Sequence, residues 1–171
     1  MSLKQGMREI DKVERIVISE AGLRANINNY VKRVTGRQSL KAFIWQEFIF
    51  AFFGNLPTAV GSVLGAAAYR SLLGKIGSNC FIEEGVRFRI PQRVFLGDRV
   101  FIGKGCDIDV EYPESETRIG QDVWLGSSVI VLRGVTVHDG AVVGPVAVVT
   151  KNIPSYSIAG GVPTKVIGKR E

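Results

Sequence analysis

Between Ile76 and Ile153 the apolar residues return every six positions, a period that no α-helix can use. Anchors fall at Ile76, Ile82 and Phe88, at Leu96, Ile102 and Ile108, and at Ile119, Leu125, Val131, Val137, Val143 and Val149. Four residues after an anchor stands Cys80, Val86, Val100, Cys106, Val123, Val129, Val135, Ala141, Ala147 or Ile153; Gln92 and Tyr112 are the polar exceptions, and the register breaks at both. A helix turns by about 100° per residue, so a six-residue repeat would scatter its anchors over three sides of a cylinder. Short strands separated by turns keep them on one surface.

Glycine punctuates the same register. It follows the anchor at Gly77, Gly97, Gly103, Gly120, Gly126 and Gly144, and stands three after it at Gly85, Gly105, Gly134 and Gly140. The expectation is that both sets serve corners that need positive φ. One hexapeptide cannot bury its own face, so neighbours must stack, and the pattern predicts a mainly β fold, a parallel β-helix. With three hexapeptides per coil, Ile119 lies beneath Val137, Leu125 beneath Val143 and Val131 beneath Val149.

Residues 1–37 and 38–75 read differently from the repeat. Ile10, Val13, Val17, Ile27, Tyr30, Val31 and Val34 recur at helical spacing among charged residues, predicting an amphipathic helical segment broken near Gly22 and ended at Gly36. From Phe48 to Tyr69 there is no charged residue, but Gly54-Asn55-Leu56-Pro57 interrupts the run, so a hairpin of two short apolar helices is expected. That hairpin would cap the open first coil. A second expectation for residues 40–73 is peripheral contact with a membrane surface, where Trp45, Lys41 and Arg70 suit the interface. The β-helix is assigned to 76–153 and a C-terminal tail to 154–171.

The chain has 171 residues, the size of one domain, and a formal net charge of +6 that favours anionic partners. Nucleic acid is not expected, because the aromatics cluster in the apolar segment rather than among the basic residues. Arg87, Arg89, Arg93 and Arg99 alternate with anchors and read as a solvated outer face. Cys80 and Cys106 both take the inward small position, which points to packing rather than to a disulfide or a metal site. Met1 to Gln5 is polar and no early apolar run ends in a cleavage signal, so a cytoplasmic location is expected, with association at the inner face of the membrane through the apolar segment.

The segment from Ile119 to Lys169 contains IGQDVWLG, VVTK and AGGVPTKVI in that order. It resembles the C-terminal signature of the hexapeptide-repeat acyltransferases, in the branch of sugar and antibiotic O-acetyltransferases. Upstream, GNLPTAVGSVLGAAAYRSLLGKIGSNCFIEEGVRF is similar to acetyltransferases of surface-polysaccharide synthesis. The resemblance implies a left-handed β-helix, a triangular prism exempt from the usual right-handed crossover. It further implies a homotrimer with active sites between prisms, acetyl-CoA as co-substrate, and a sugar or glycan precursor as acceptor. Residue by residue, it implies coenzyme contacts at Trp124, Gly126, Ser127, Pro145, Thr150 and Lys151, and a basic residue near the adenosine phosphates at Lys165. The next basic family position is Gly168 here, with Lys169 beside it.

Acetyl transfer to a hydroxyl needs a base, and the family places a histidine in or beside a loop upstream of IGQDVW. This chain has Tyr112-Pro113 there, and its one histidine is His138. Three readings stay open: His138 as base; a buried carboxyl among Asp109, Glu111, Glu114 and Glu116, with its pKa raised by desolvation; or an uncharged amine acceptor that needs little help. The leading function is therefore an acetyl-CoA-dependent acetyltransferase acting on a sugar hydroxyl or amino group in surface polysaccharide synthesis. The alternative is a catalytically degenerate trimer that binds coenzyme or glycan. A zinc carbonic anhydrase on the same prism would need several histidines, so no metal is expected.

Overall fold

A computed structural model describes residues 23–35, 39–55, 65–108 and 116–171. Two-residue strands separated by four-residue corners wind into a coil whose strands stack in three parallel sheets. Face 1 is β1 (Lys75–Ile76), β4 (Val94–Leu96), β7 (Thr117–Ile119) and β10 (Thr136–Val137). Face 2 is β2 (Phe81–Ile82), β5 (Phe101–Ile102), β8 (Trp124–Leu125), β11 (Val142–Val143), β13 (Ser157–Gly160) and β14 (Lys165–Lys169). Face 3 is β3 (Arg87–Phe88), β6 (Asp107–Ile108), β9 (Ile130–Val131) and β12 (Val148–Val149). The expected stacking holds: Val137 pairs with Ile119, Val143 with Leu125 and Val149 with Val131.

The anchors from Ile82 onward are buried, as are all ten inward corner residues, so three sheets share one apolar core. Cys80 and Cys106 are free thiols within it, their Sγ atoms 3.2 Å from Gly97 O and 3.1 Å from Gly126 O. Burial pushes the Cys106 thiol up to about 11.

The two glycine columns differ, which corrects the expectation of a common cause. Three residues past the anchor, Asn79, Gly85, Arg99, Gly105, Asp122, Ser128, Gly134, Gly140 and Val146 all have φ between 53 and 74°. Directly after the anchor, none of Gly77, Gly97, Gly103, Gly120, Gly126 and Gly144 has positive φ. At all of them but Gly144, where the nearest atom to a Cβ is Ala159 O at 3.6 Å, the next coil leaves no room: a Cβ would stand 2.6 Å from Gln121 N at Gly97, 2.7 Å from Ser127 N at Gly103 and 2.7 Å from Pro145 N at Gly126.

Segment 154–171 is also more than a tail. Ile158 and Ala159 pair in parallel with Val142 and Val143, extending face 2, and β14 returns antiparallel along β13. A strand edge that would otherwise be unpaired is thereby covered.

At the other end, helix Leu23–Thr35 stops one residue before Gly36 and helix Leu40–Phe52 starts at Ser39, whose Oγ accepts from Ala42 N at 3.3 Å. Of the apolar positions expected on the first helix, Val31 is buried, while Ile27 and Tyr30 are exposed; positions 1–22 lie outside the described residues. Residues 65–69 are helical, and 56–64 lie outside the described residues. The helices close the first coil. Gly85 N donates to Gly54 O at 2.7 Å, Ile90 N donates to Val34 O at 3.0 Å, and Tyr69 packs edge-on against Phe88. Ile49, Leu72 and Leu73 join the core. No helix among the described residues is long and apolar enough to cross a membrane.

Candidate functional site

The prism has three edges, and the register decides which residue stands on which. The edge between faces 2 and 3 stacks the residues that follow Ile102, Leu125 and Val143. It carries Gly126 and Ser127, with Pro145 one coil above them and Lys104 one coil below. Coil stacking holds it tightly: Ser128 N donates to Lys104 O at 2.8 Å, Gly126 N to Val143 O at 2.8 Å and Val146 N to Ser127 O at 2.9 Å. Strand β14 brings Lys165 opposite Gly160, at the C-terminal end of this same edge. Gly126 is half-buried and Ser127, Pro145 and Lys165 are exposed, so the edge is an open ledge with a cation at one end.

Thr150 and Lys151 follow Val149 and stand on the neighbouring edge, between faces 3 and 1, both exposed. The candidate base segment follows Ile108, which ends its strand on face 3 as Val149 does, but Asp109, Glu111, Tyr112 and Glu114 lie outside the described residues. Glu116 is described. It pairs with Arg118 and with Arg93 at 3.5 Å, so it is engaged with cations rather than desolvated.

His138 stands on the third edge, between faces 1 and 2. It is exposed, and its backbone N donates to Ile153 O at 3.0 Å. It stands in the glycine column as a non-glycine residue, and the chain above stays in register with it, since Tyr156 N donates to Asp139 O at 2.9 Å. Six residues span about 20 Å at most, and that side of the triangle separates His138 from Gly126 within one protomer. One chain therefore unites Gly126, Ser127, Pro145 and Lys165, places Thr150 and Lys151 one edge away, and keeps His138 apart.

Trp124 projects from face 2. It is 55% exposed and meets Phe101 edge-on at 5.8 Å. Phe81, Phe101, Trp124, Val142 and Ile158 are in lateral register, so this face carries an apolar ladder. Face 1 carries Lys75, Phe95, Arg118 and Thr136, with the Arg118 guanidinium 4.6 Å from the Phe95 ring. The two outward surfaces thus differ in kind. Of the four arginines, Arg99 makes a two-pronged pair with Asp122 at 2.6 and 2.7 Å, which holds the Asp122 carboxyl below its usual range.

Sequence reasoning missed Lys104, although the signal was present: it stands two past its anchor, as Ser127 and Pro145 do. It is tied to Glu84 at 2.6 Å, and that contact raises its pKa. Lys169 does not stand beside Lys165. Strand β14 sets it opposite Ser157, at the far side of face 2.

A family model described as "Bacterial transferase hexapeptide (six repeats)" matches residues 116–151. Residues 116–151 thus match the hexapeptide repeats of that family. The chain's relatives include a chloramphenicol acetyltransferase of Agrobacterium fabrum, 53% identical over 58 residues that make up 34% of this chain and 28% of that protein. The chain thus spans less than a third of that relative. Among solved structures, a maltose O-acetyltransferase from Clostridium difficile is similar with a TM-score of 0.60 and 25% identity, over 75% of this chain and 86% of that one. A hexapeptide-repeat acetyltransferase from Vibrio cholerae, in complex with acetyl coenzyme A, shares the fold with a TM-score of 0.57 and 17% identity, over 82% of this chain and 97% of that one. The hexapeptide-repeat domain here is accordingly a left-handed parallel β-helix, mainly β, with helices at its N-terminal end.

Proposed function

We propose that the chain is an acetyl-CoA-dependent acetyltransferase acting on a sugar hydroxyl or amino group, working as a homotrimer in surface polysaccharide synthesis. The observation that carries this reading is the ledge: Gly126, Ser127 and Pro145 stack on one edge with Lys165 at its end. An extended pantetheine arm can run along such an edge while cations meet the coenzyme phosphates. The named acetyltransferases among the relatives support the same chemistry.

In this reaction the acceptor oxygen or nitrogen attacks the thioester carbonyl, its proton passes to a base, and the thiolate leaves as free coenzyme A after protonation. Seams between protomers supply what one prism separates, because two edges from different copies can meet there. The apolar ladder of face 2 suits such a seam. A peripheral contact with the inner membrane leaflet belongs to the same proposal: Leu40, Ile44, Trp45, Phe48 and Phe52 are exposed on one helix, with Lys41 beside Trp45.

The alternative, a trimer that binds coenzyme or glycan without turnover, is favoured by one observation: the sole histidine lies on the edge between faces 1 and 2, away from Ile108, after which the candidate base segment begins. Incubation with acetyl-CoA and a panel of sugar and amino-sugar acceptors separates the two. Free thiol above the acceptor-free rate supports the transferase; thermal stabilisation by the coenzyme with no thiol release supports the binding trimer. Neither response would overturn both.

A further inference from the structure

A cavity of about 550 Å³ lies between the two N-terminal helices and the lower end of face 3, in the two coils beneath the one that carries Gly126 and Ser127. That volume is within the range of small-molecule pockets, roughly 300–1,000 Å³. Gln46 is its most unusual wall. The side chain is 1% exposed, and neither Oε1 nor Nε2 has a hydrogen-bond partner. A buried amide with both ends unpaired is rare in a folded protein and points to something that fills the space beside it. Asp107, on β6, repeats the signal from the other side, since its Oδ1 is buried and unpaired.

Charge narrows the occupant. Arg33 and Arg87 line the cavity together with two carboxylates, Asp107 and Glu47. Arg87 stands directly across from Asp107 in the β3–β6 register, yet the two do not form an ion pair. The guanidinium favours an anion. The Gln46 amide wants a group that both donates and accepts, and Asp107 Oδ1 wants a donor; hydroxyl groups satisfy both needs. Tyr30 and Phe50 add aromatic wall.

We propose that this cavity binds a small polyhydroxylated anion, a monosaccharide carrying one phosphate or carboxylate, with the anion on Arg87 and hydroxyls on Gln46 and Asp107. The site is separate from the coenzyme ledge and does not rest on acetyl transfer, so its test omits acetyl-CoA.

The test is calorimetric titration of the full chain with glucose 1-phosphate, glucuronate, glucose and inorganic phosphate. At least one of the two charged sugars binds, and glucose and inorganic phosphate bind about tenfold more weakly or not at all, tenfold being the worth of roughly one hydrogen bond. Which charged sugar binds better identifies the anion as phosphate or carboxylate. Gln46→Leu and Arg87→Gln each weaken binding about tenfold. Gln46→Leu also raises the Tm of the ligand-free protein, because it removes an unsatisfied amide, whereas a merely structural glutamine would lower it. Binding of neither charged sugar, inorganic phosphate binding as tightly as the sugar phosphate, or unchanged affinity in both variants overturns the proposal.

Discussion

Two columns of corner positions run the length of the prism, and both are rich in glycine for unrelated reasons. Directly after the anchor, at every glycine of the column but Gly144, the backbone of the next coil stands where a Cβ would go. Three residues after it, the chain turns through left-handed φ, yet Asn79, Arg99, Asp122, Ser128 and Val146 share that conformation with the glycines. The first column is governed by contact between coils and the second by the local torsion of one residue. Contact with a packed backbone is unforgiving, while a torsional penalty is bounded.

Substitution should separate the columns by magnitude. Gly97→Ala is expected to destabilise the fold by about 3 kcal/mol or more, since its Cβ would press on Gln121 N and Gly120 C, and urea unfolding measures it. Gly105→Ala meets only Ser128 Oγ at 3.6 Å, so its loss should stay near 1–2 kcal/mol, the cost of left-handed φ alone. Equal losses at the two sites would erase the distinction.

Val146 offers the converse. It is a β-branched residue at φ 59° and 67% exposed, so it bears torsional strain with little burial to offset it. Val146→Asn should stabilise the protein by about 1 kcal/mol. Because Val146 adjoins Pro145 on the ledge, the same variant reports whether coenzyme binding uses that strained corner.

The smallest effects belong to charge. Lys151→Ala and Lys165→Ala should each weaken coenzyme binding by no more than about fivefold, as exposed ion pairs do, and less in high salt. Loss with Lys165→Ala alone would assign the phosphates to the edge between faces 2 and 3. Asp98 Oδ1 accepts from Ser78 N at 2.7 Å and Ser78 Oγ at 3.0 Å, bonds that lower its pKa in the folded state. A carboxyl depressed on folding stabilises above its unfolded pKa of about 3.9, and the benefit fades as pH falls through the folded value. Asp98→Asn should therefore flatten the acid limb of stability between neutral pH and pH 3, read as the urea midpoint.

How far the site was legible follows from the same geometry. Gly126, Ser127 and Pro145 occupy equivalent turns, so a period of six was enough to place them on one edge. Lys165 required the return of β14, which no hexad predicts, and only that pairing sets it above Gly160 rather than in a free tail. Gln46 was invisible as a site residue, since in sequence it is a polar position within an apolar helix. Its burial against the first coil arises from contacts between segments that are forty residues apart.

By itself the sequence determined the coil: which residues point inward, which strand lies on which, and that both cysteines are buried thiols. Those features follow from short-range alternation repeated with a fixed period, and every coil reads the same rule. The tertiary structure alone decided the separate causes of the two glycine columns, the edge on which each cation stands, and the cavity under the helices. Each of these depends on the distance between segments remote in the chain, a quantity that periodicity does not carry.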